Sequence, residues 1–311
     1  GLTSTSGPGL ALKAEAIGLA VMAELPLIVI NVQRAGPSTG MPTKTQQADL
    51  LQAMYGRNGE SPVAILAPST PGDAFEVGFE AVRIALQFMT PVIVLSDGYI
   101  ANGSEPWLLP DVAKLPKIQV KFAPPQGAGE KFMPYARDPK TLARVWAKPG
   151  TEGLMHRIGG LEKADVTGNI SYDPANHQHM VDTRAKKVAN IADAVGEATT
   201  LGPDSGDVLV LGWGSTRGAI TSAVLNLQQQ GHKVSACFLR WLNPLPRNLG
   251  TLLKQFKKVI LPELNKGQLC SMIRSKYLVD VESYSKVDGQ PFKSQEVLDY
   301  LTKALTTLKG G

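Results

Sequence analysis

Arg34 follows a run of β-branched and apolar residues, Leu27-Ile-Val-Ile30, and opens onto Gly36, Pro37, Ser38, Thr39, Gly40 and Pro42. A guanidinium at the end of a buried strand offers a planar fork of donors that suits a carboxylate. Glycines beside it let backbone amides approach a small anion, and the hydroxyls of Ser38 and Thr39 add donors. Arg34, Gly36, Pro37, Ser38 and Thr39 therefore form a candidate substrate-binding group. The bland alternative is a surface arginine at a sheet edge.

Other constellations are weaker. Thr5, Ser6 and Gly7 open a helix from a small-residue loop, Thr3 to Gly9, and can either hold an anion or cap that helix. Gly212-Trp-Gly-Ser-Thr-Arg-Gly218 lies between a strand and a helix, but its spacing is GxGxxxG with a bulky Trp213, which favours a tight structural turn. His177 and His179 form an HxH read as part of a polar loop, with Asp173 and Asp182 nearby. No third metal ligand is fixed by spacing, so solvated loop histidines are the simpler reading. Asp97-Gly98, with Asn102 and Glu105, ends a strand and can serve a ligand or a turn equally well. Cys237 and Cys270 are 33 residues apart and suggest neither a disulfide framework nor a thiolate metal site.

Elements that alternate must position these residues. Leu10 to Glu24 has helical spacing and Pro26 ends it; Leu27–Ile30, Val63–Leu66 and Val92–Leu95 read as buried strands, and Asp73 to Phe88 as an amphipathic helix. Strands alternating with helices predict a parallel sheet whose functional loops follow the strands' carboxyl ends. The rhythm fails between about Pro106 and Asp204, where prolines accumulate and a short helix is expected near Lys186 to Thr199. It resumes at Val208–Leu211, Val234–Leu239 and Val259–Leu261 as a second sheet. The expected division is a partial domain over 1–110, an irregular connecting segment over 111–204 and a second α/β domain over 205–307.

The 311 residues are 43% hydrophobic and 19% charged, which excludes disorder and leaves enough apolar surface for two cores. A net charge of +5, from 32 basic and 27 acidic residues, comes without a basic block interleaved with aromatics, so no nucleic-acid partner is expected. No apolar stretch is long enough to span a membrane, and no secretory leader is visible, so a cytoplasmic location is expected. The chain opens on Gly1 in the middle of a small-residue loop, which reads as an N-terminally incomplete start.

Four strings are long and unusual together: Gln33-Arg-Ala-Gly-Pro-Ser-Thr-Gly-Met-Pro-Thr-Lys-Thr-Gln-Gln-Ala-Asp-Leu50, Tyr55-Gly-Arg-Asn-Gly-Glu-Ser-Pro62, Ala67-Pro-Ser-Thr-Pro-Gly-Asp73 and Leu95-Ser-Asp-Gly-Tyr-Ile-Ala-Asn-Gly-Ser-Glu-Pro-Trp107. They resemble the alpha subunit of the 2-oxoacid:ferredoxin oxidoreductases, most closely the 2-oxoglutarate branch. Gly159–Glu162, His177–Met180, Gly212–Thr216 and Glu263–Leu269 fit the same subunit, so the resemblance runs nearly end to end.

The resemblance implies a pyrimidine-binding domain of the thiamine-diphosphate type followed by a transketolase-C-terminal-like α/β domain. It implies oxidative decarboxylation of 2-oxoglutarate to succinyl-CoA and CO2, or the reverse, with coenzyme A and ferredoxin. Thiamine diphosphate and Mg2+ would be held mainly by a beta subunit, which would also carry an iron–sulfur cluster, and no metal site is expected in this chain. Arg34 matches the family arginine for the 2-oxoacid carboxylate, with Gly36, Pro37, Ser38 and Thr39 lining the pocket, and Thr5, Ser6 and Gly7 fall where cofactor contacts are expected. Two family features are missing: the tyrosine-proline-isoleucine-threonine-proline motif, and the glutamate that protonates the aminopyrimidine, which would precede Gly1. No catalytic residue is therefore assigned. The chain is expected to be inactive alone, and to need the beta subunit and the missing N-terminal segment of the alpha subunit. The alternatives are a non-catalytic assembly or regulatory subunit, and the same chemistry on pyruvate or mixed 2-oxoacids.

Overall fold

The computed structural model describes residues 1–127 and 130–310. The first part runs β1 (Leu2–Thr5), α1 (Gly7–Leu12), α2 (Ala14–Ala23), β2 (Leu27–Gln33), α3 (Leu50–Tyr55), β3 (Ala64–Leu66), α4 (Asp73–Phe88), β4 (Pro91–Asp97) and α5 (Gly98–Asn102). After a long irregular stretch come α6 (Pro174–Asn190), β5 (Thr200–Leu201), β6 (Gly206–Gly212), α7 (Arg217–Gln229), β7 (Val234–Phe238) and β8 (Trp241–Asn243). The chain closes with α8 (Leu249–Leu253), β9 (Phe256–Glu263), α9 (Gln268–Tyr277), β10 (Val281–Ser285) and α10 (Ser294–Gly310).

Two five-stranded sheets result, in the orders β1-β2-β4-β3-β8 and β10-β9-β6-β7-β5. Pairing is parallel except at β3·β8 and β5·β7. All seven residues of β4 are buried, as a strand covered on both faces requires. Its partner β2 pairs in the register Leu27↔Pro91 through Gln33↔Asp97, which sets Arg34 level with Gly98 at the carboxyl edge. On α4, Val77, Ala81, Ile84, Ala85 and Phe88 share one buried stripe and cover this sheet. One apolar cluster joins the two sheets: Leu10, Ile17, Val29 and Ile93 belong to it together with Leu209, Leu242, Leu253 and Val259. Each fully buried leucine or isoleucine contributes roughly 1.5–3 kcal/mol.

Three local readings need correction. The Thr3 to Gly9 stretch is not all loop, because Leu2–Thr5 pairs in parallel with β2 as an edge strand. His177 and His179 are helical: α6 begins at Pro174, with the Asp173 carboxylate accepting the Asn176 amide, and ends at Asn190 rather than starting near Lys186. Trp241–Asn243, from the second half of the chain, adds an antiparallel edge strand to the first sheet. Among the described residues no helix is long and apolar enough to cross a membrane.

The irregular stretch is fastened by buried charge. Glu24 is fully buried and receives both Arg137 Nη atoms, at 2.7 and 2.8 Å, and Lys187 Nζ at 2.5 Å. Burial alone would raise the Glu24 carboxyl, but Lys187 and Arg137 outweigh it and hold it at about 2. Lys187 also donates to the Met89 carbonyl at 3.0 Å, and Arg144 Nε to the carbonyls of Ala23 and Glu24. Tyr135 lies inside this knot with Arg137, Arg144 and Lys163 over its ring. Glu24 and Met89 precede β2 and β4, so the knot grips the amino edge of the first sheet. The open cleft of about 870 Å³ between α4 and the stretches 117–126 and 131–146 lies at that same edge.

Candidate functional site

The carboxyl edge of the first sheet carries a tightly closed loop over residues 35–45. The Ala35 amide donates to the Lys44 carbonyl, and Met41 returns to the Ala35 carbonyl, both at 2.9 Å. Gly40 adopts φ +52°, and a Cβ there would lie 1.7 Å from the Ala35 oxygen, so only glycine closes the loop. The Gly36 amide is taken by Gln46 Oε1 at 2.8 Å, and Pro37 has no amide hydrogen, so neither offers a donor to a ligand. Ser38 and Thr39 are exposed, and their hydroxyls have no partner among the described residues.

Arg34 is half-buried at the base of this loop. Its Nε is buried without a hydrogen-bond partner, and among the described residues its guanidinium makes no ion pair. A desolvated donor left unmade costs about 1–3 kcal/mol, so an anion docking here is favoured by more than its charge alone.

The loop is braced by a buried polar lattice that sequence reasoning largely missed. Asp97 accepts from Thr45 Oγ1 (3.2 Å), from the Tyr99 and Ile100 amides (2.9 and 3.1 Å) and from the Ser215 amide (3.2 Å). Burial raises its carboxyl, and the bonds from Ser215, Ile100 and Tyr99 offset that rise only in part. It is a bracket between α5, the loop and the turn after β6. That turn uses Gly214 at φ +59°, where a Cβ would meet Gln47 Nε2 at 2.4 Å. With Ser215's amide bound to Asp97, the GxGxxxG segment is a docking turn rather than a phosphate cradle. Gln47 is fully buried and crosses to the second sheet through Trp213 O (2.7 Å) and the Leu264 backbone. Glu263, also fully buried, collects Trp213 Nε1, Asn265 Nδ2 and the Leu269 and Cys270 amides. Burial raises its carboxyl against those four donors.

Around the β1–α1 turn, Thr5 and Ser6 make no side-chain cap, so the capping reading fails. Thr5 Oγ1 folds onto Gly9, where a Cβ would lie 1.9 Å from it. Gly7 faces Asp49, whose Oδ2 would sit 2.8 Å from a Cβ on that glycine. Asp49 accepts Asn31 Nδ2 at 2.9 Å, and its amide donates to Gln33 Oε1 at 3.0 Å. Burial raises the Asp49 carboxyl, opposed by Asn31. Asn31 is fully buried, and its Oδ1 has no donor. The signal was present in sequence as two polar residues, Asn31 and Gln33, at period-2 spacing on the end of an apolar strand.

The nearby Arg57 and the two helical histidines are spoken for. Arg57 gives its donors to the carbonyls of Ala53, Met54 and Ser61. His177 meets Glu162 at 2.7 Å and His179 meets Asp165 at 2.8 Å, and each carboxylate also binds a buried arginine. Among the described residues no three His, Cys, Asp or Glu side chains converge as metal ligands. Cys237 and Cys270 are buried, their thiols pushed up to about 12 and 11 by that burial.

Residues 1–172 match the family model for the thiamine-diphosphate-binding domain of pyruvate flavodoxin/ferredoxin oxidoreductases, and residues 206–297 match core domain II of pyruvate:ferredoxin oxidoreductase. The chain is 57% identical to the 2-oxoglutarate oxidoreductase subunit KorA of Mycobacterium tuberculosis, over 98% of this chain and 46% of that protein. A structure of the 2-oxoglutarate:ferredoxin oxidoreductase of Magnetococcus marinus, with 2-oxoglutarate, coenzyme A and succinyl-CoA bound, superposes with a TM-score of 0.90 at 33% identity, covering 97% of this chain and 53% of that one. This chain thus spans about half the length of either protein. A split-gene transketolase shares the fold at 11% identity with a TM-score of 0.50, covering 98% of this chain and 75% of that one.

Proposed function

Because the chain belongs to the pyruvate flavodoxin/ferredoxin oxidoreductase family, and within it to the 2-oxoglutarate oxidoreductase alpha subunits, we propose that it holds the 2-oxoacid during oxidative decarboxylation of 2-oxoglutarate. The reaction joins 2-oxoglutarate and coenzyme A, releases CO2 and succinyl-CoA, and passes two electrons to ferredoxin; the same site serves the reverse direction. The observation that carries this reading is the Arg34 guanidinium, desolvated at Nε and left without a protein partner beside an open pair of hydroxyls.

Arg34 clamps the substrate carboxylate through its fork, while Ser38 and Thr39 donate to the same end of the molecule. Held there, the 2-oxo carbon is presented in one orientation, which turns binding into positioning. Asp97 and Gln47 keep the loop rigid from below, so the clamp does not reorganise when the carboxylate leaves.

The turn fits the pyrimidine end of thiamine diphosphate. Asn31 Oδ1 is a buried acceptor with no donor, Ser6 brings a free hydroxyl, and Gly7 keeps the space beside Asp49 clear of any side chain. When bound, thiamine diphosphate supplies the carbanion-stabilising chemistry that lets CO2 depart. Ser6, Gly7 and Asn31 would hold its ring on this side; Thr5, turned onto Gly9, would shape the turn. The diphosphate, Mg2+ and the iron–sulfur cluster would belong to a beta subunit.

The test is coenzyme-A-dependent reduction of methyl viologen by the full complex, purified anaerobically, with 2-oxoglutarate, pyruvate and 2-oxobutyrate as substrates. Reduction with 2-oxoglutarate far above the others supports the reading. Preference for pyruvate removes the substrate assignment, and no reduction with any 2-oxoacid removes the activity.

A further inference from the structure

The two ends of 2-oxoglutarate are both anionic, and one arginine answers only one of them. Resting on the reading of the Arg34 loop as the 2-oxoacid site, we infer that Lys44 is the second cation of that site and takes the distal carboxylate. Lys44 and Arg57 are both near Arg34 in sequence, and the structure separates them. Arg57 is consumed by backbone carbonyls at the end of α3. Lys44 closes the same loop as Arg34, since its carbonyl accepts the Ala35 amide at 2.9 Å.

Its backbone lies over the carboxyl ends of β2 and β4: a Cβ on Gly98 would be 3.7 Å from the oxygens of Gln33 and Lys44 alike. The neighbouring Thr45 is pinned on both sides, by its amide to the Gly289 carbonyl and by its hydroxyl to Asp97. The lysine stem is braced by Gly289, where a Cβ would approach Lys44 Cβ to 2.9 Å and Cγ to 3.4 Å. Gly289 sits at φ +77°, a conformation glycine adopts without strain. Lys44 is therefore half-buried along its stem, and its ammonium has no partner among the described residues. The other cation of the bracing segment, Lys286, is committed to Glu296 at 2.8 and 3.0 Å and to the Pro291 carbonyl. Of the cations on this loop and the segment that braces it, Arg34 and Lys44 remain free. Two free cations on one rigid loop suit a dicarboxylate, whereas pyruvate leaves the second idle.

In the full complex, Lys44→Gln should lower kcat/KM for 2-oxoglutarate by about tenfold or more, mostly through KM, because one charge-assisted bond to the substrate is lost. Values for pyruvate and 2-oxobutyrate should stay within about twofold, and Lys44→Arg should recover most of the loss. Calorimetric titration of glutarate, a dicarboxylate that cannot react, should show binding to the wild-type complex that Lys44→Gln weakens by a similar factor. An equal loss on all three substrates, or an unchanged kcat/KM for 2-oxoglutarate, overturns the assignment of Lys44 while leaving the proposed function standing. A wild-type complex that turns over pyruvate and ignores 2-oxoglutarate overturns both.

Discussion

The first sheet carries an arginine at each edge, and they are treated in opposite ways. At the amino edge Arg137 gives both Nη atoms to Glu24, Nε to Asp165 and a further bond to the Leu142 carbonyl. At the carboxyl edge Arg34 has a buried Nε with no partner and no ion pair among the described residues. The seven residues of β2, about 20 Å of strand, run from one edge to the other. A buried charge that serves the fold is neutralised within the fold, whereas one kept for a ligand is positioned and left unsatisfied. The difference predicts that the two ends respond to mutation through different observables.

Glu24→Ala should produce the largest effect. It strands Arg137 and Lys187 in the interior, and breaking such a pair from one side costs about 3–5 kcal/mol. Urea unfolding of the complex should show that loss. If stability falls by less than about 1 kcal/mol, the knot is not what fastens the irregular stretch.

Arg34→Ala should invert the pattern. Activity toward 2-oxoglutarate should drop by about 2–5 kcal/mol in kcat/KM terms, while unfolding stability holds or rises, because the unmade Nε donor is removed. Equal losses in both observables would mean that Arg34 is structural, and the contrast between the edges would collapse.

Acid sharpens the same comparison. Glu24 is held at about 2, below its ordinary 4.5, so its contribution is complete above pH 4.5 and is lost as pH falls toward 2. The loss should fall mainly between about pH 5 and pH 2. Glu24→Gln cannot titrate, so its stability should fall less steeply than that of wild type over this window. Parallel slopes would show that Glu24 is not depressed.

How much of this was visible in the sequence depends on the range of the interactions. β2, β4 and α4 declare themselves by unbroken or 3.6-periodic apolar residues, and the Arg34 loop by its glycines and prolines. The helical histidines were also legible: Asp173-Pro174 is an N-cap followed by proline at the first turn, a start signal that outweighs the polar composition behind it. β1 was hidden because Leu2-Thr-Ser-Thr5 is an exposed edge with one apolar residue. β8 has three residues and acquires its identity only by pairing with β3, some 180 positions earlier. The Glu24 knot joins residues 113 and 163 positions apart, and the Asp97 bracket reaches 118 positions to Ser215. No local pattern encodes such pairs. Arg34 could be singled out because its chemistry is local, whereas the lattice that holds it is not.

The smallest effect expected is at the mouth of the loop. Ser38 and Thr39 are exposed, and their hydroxyls bind nothing in the protein, so Thr39→Val should leave unfolding unchanged. If the hydroxyl donates to the substrate carboxylate, KM for every 2-oxoacid should rise together by a factor of about 3–10, the worth of one hydrogen bond of roughly 0.5–1.5 kcal/mol. The common carboxylate end predicts a uniform rise, unlike the selective loss expected at Lys44. A rise confined to 2-oxoglutarate would place Thr39 at the distal end instead, and would exchange the roles assigned to the two sides of the loop.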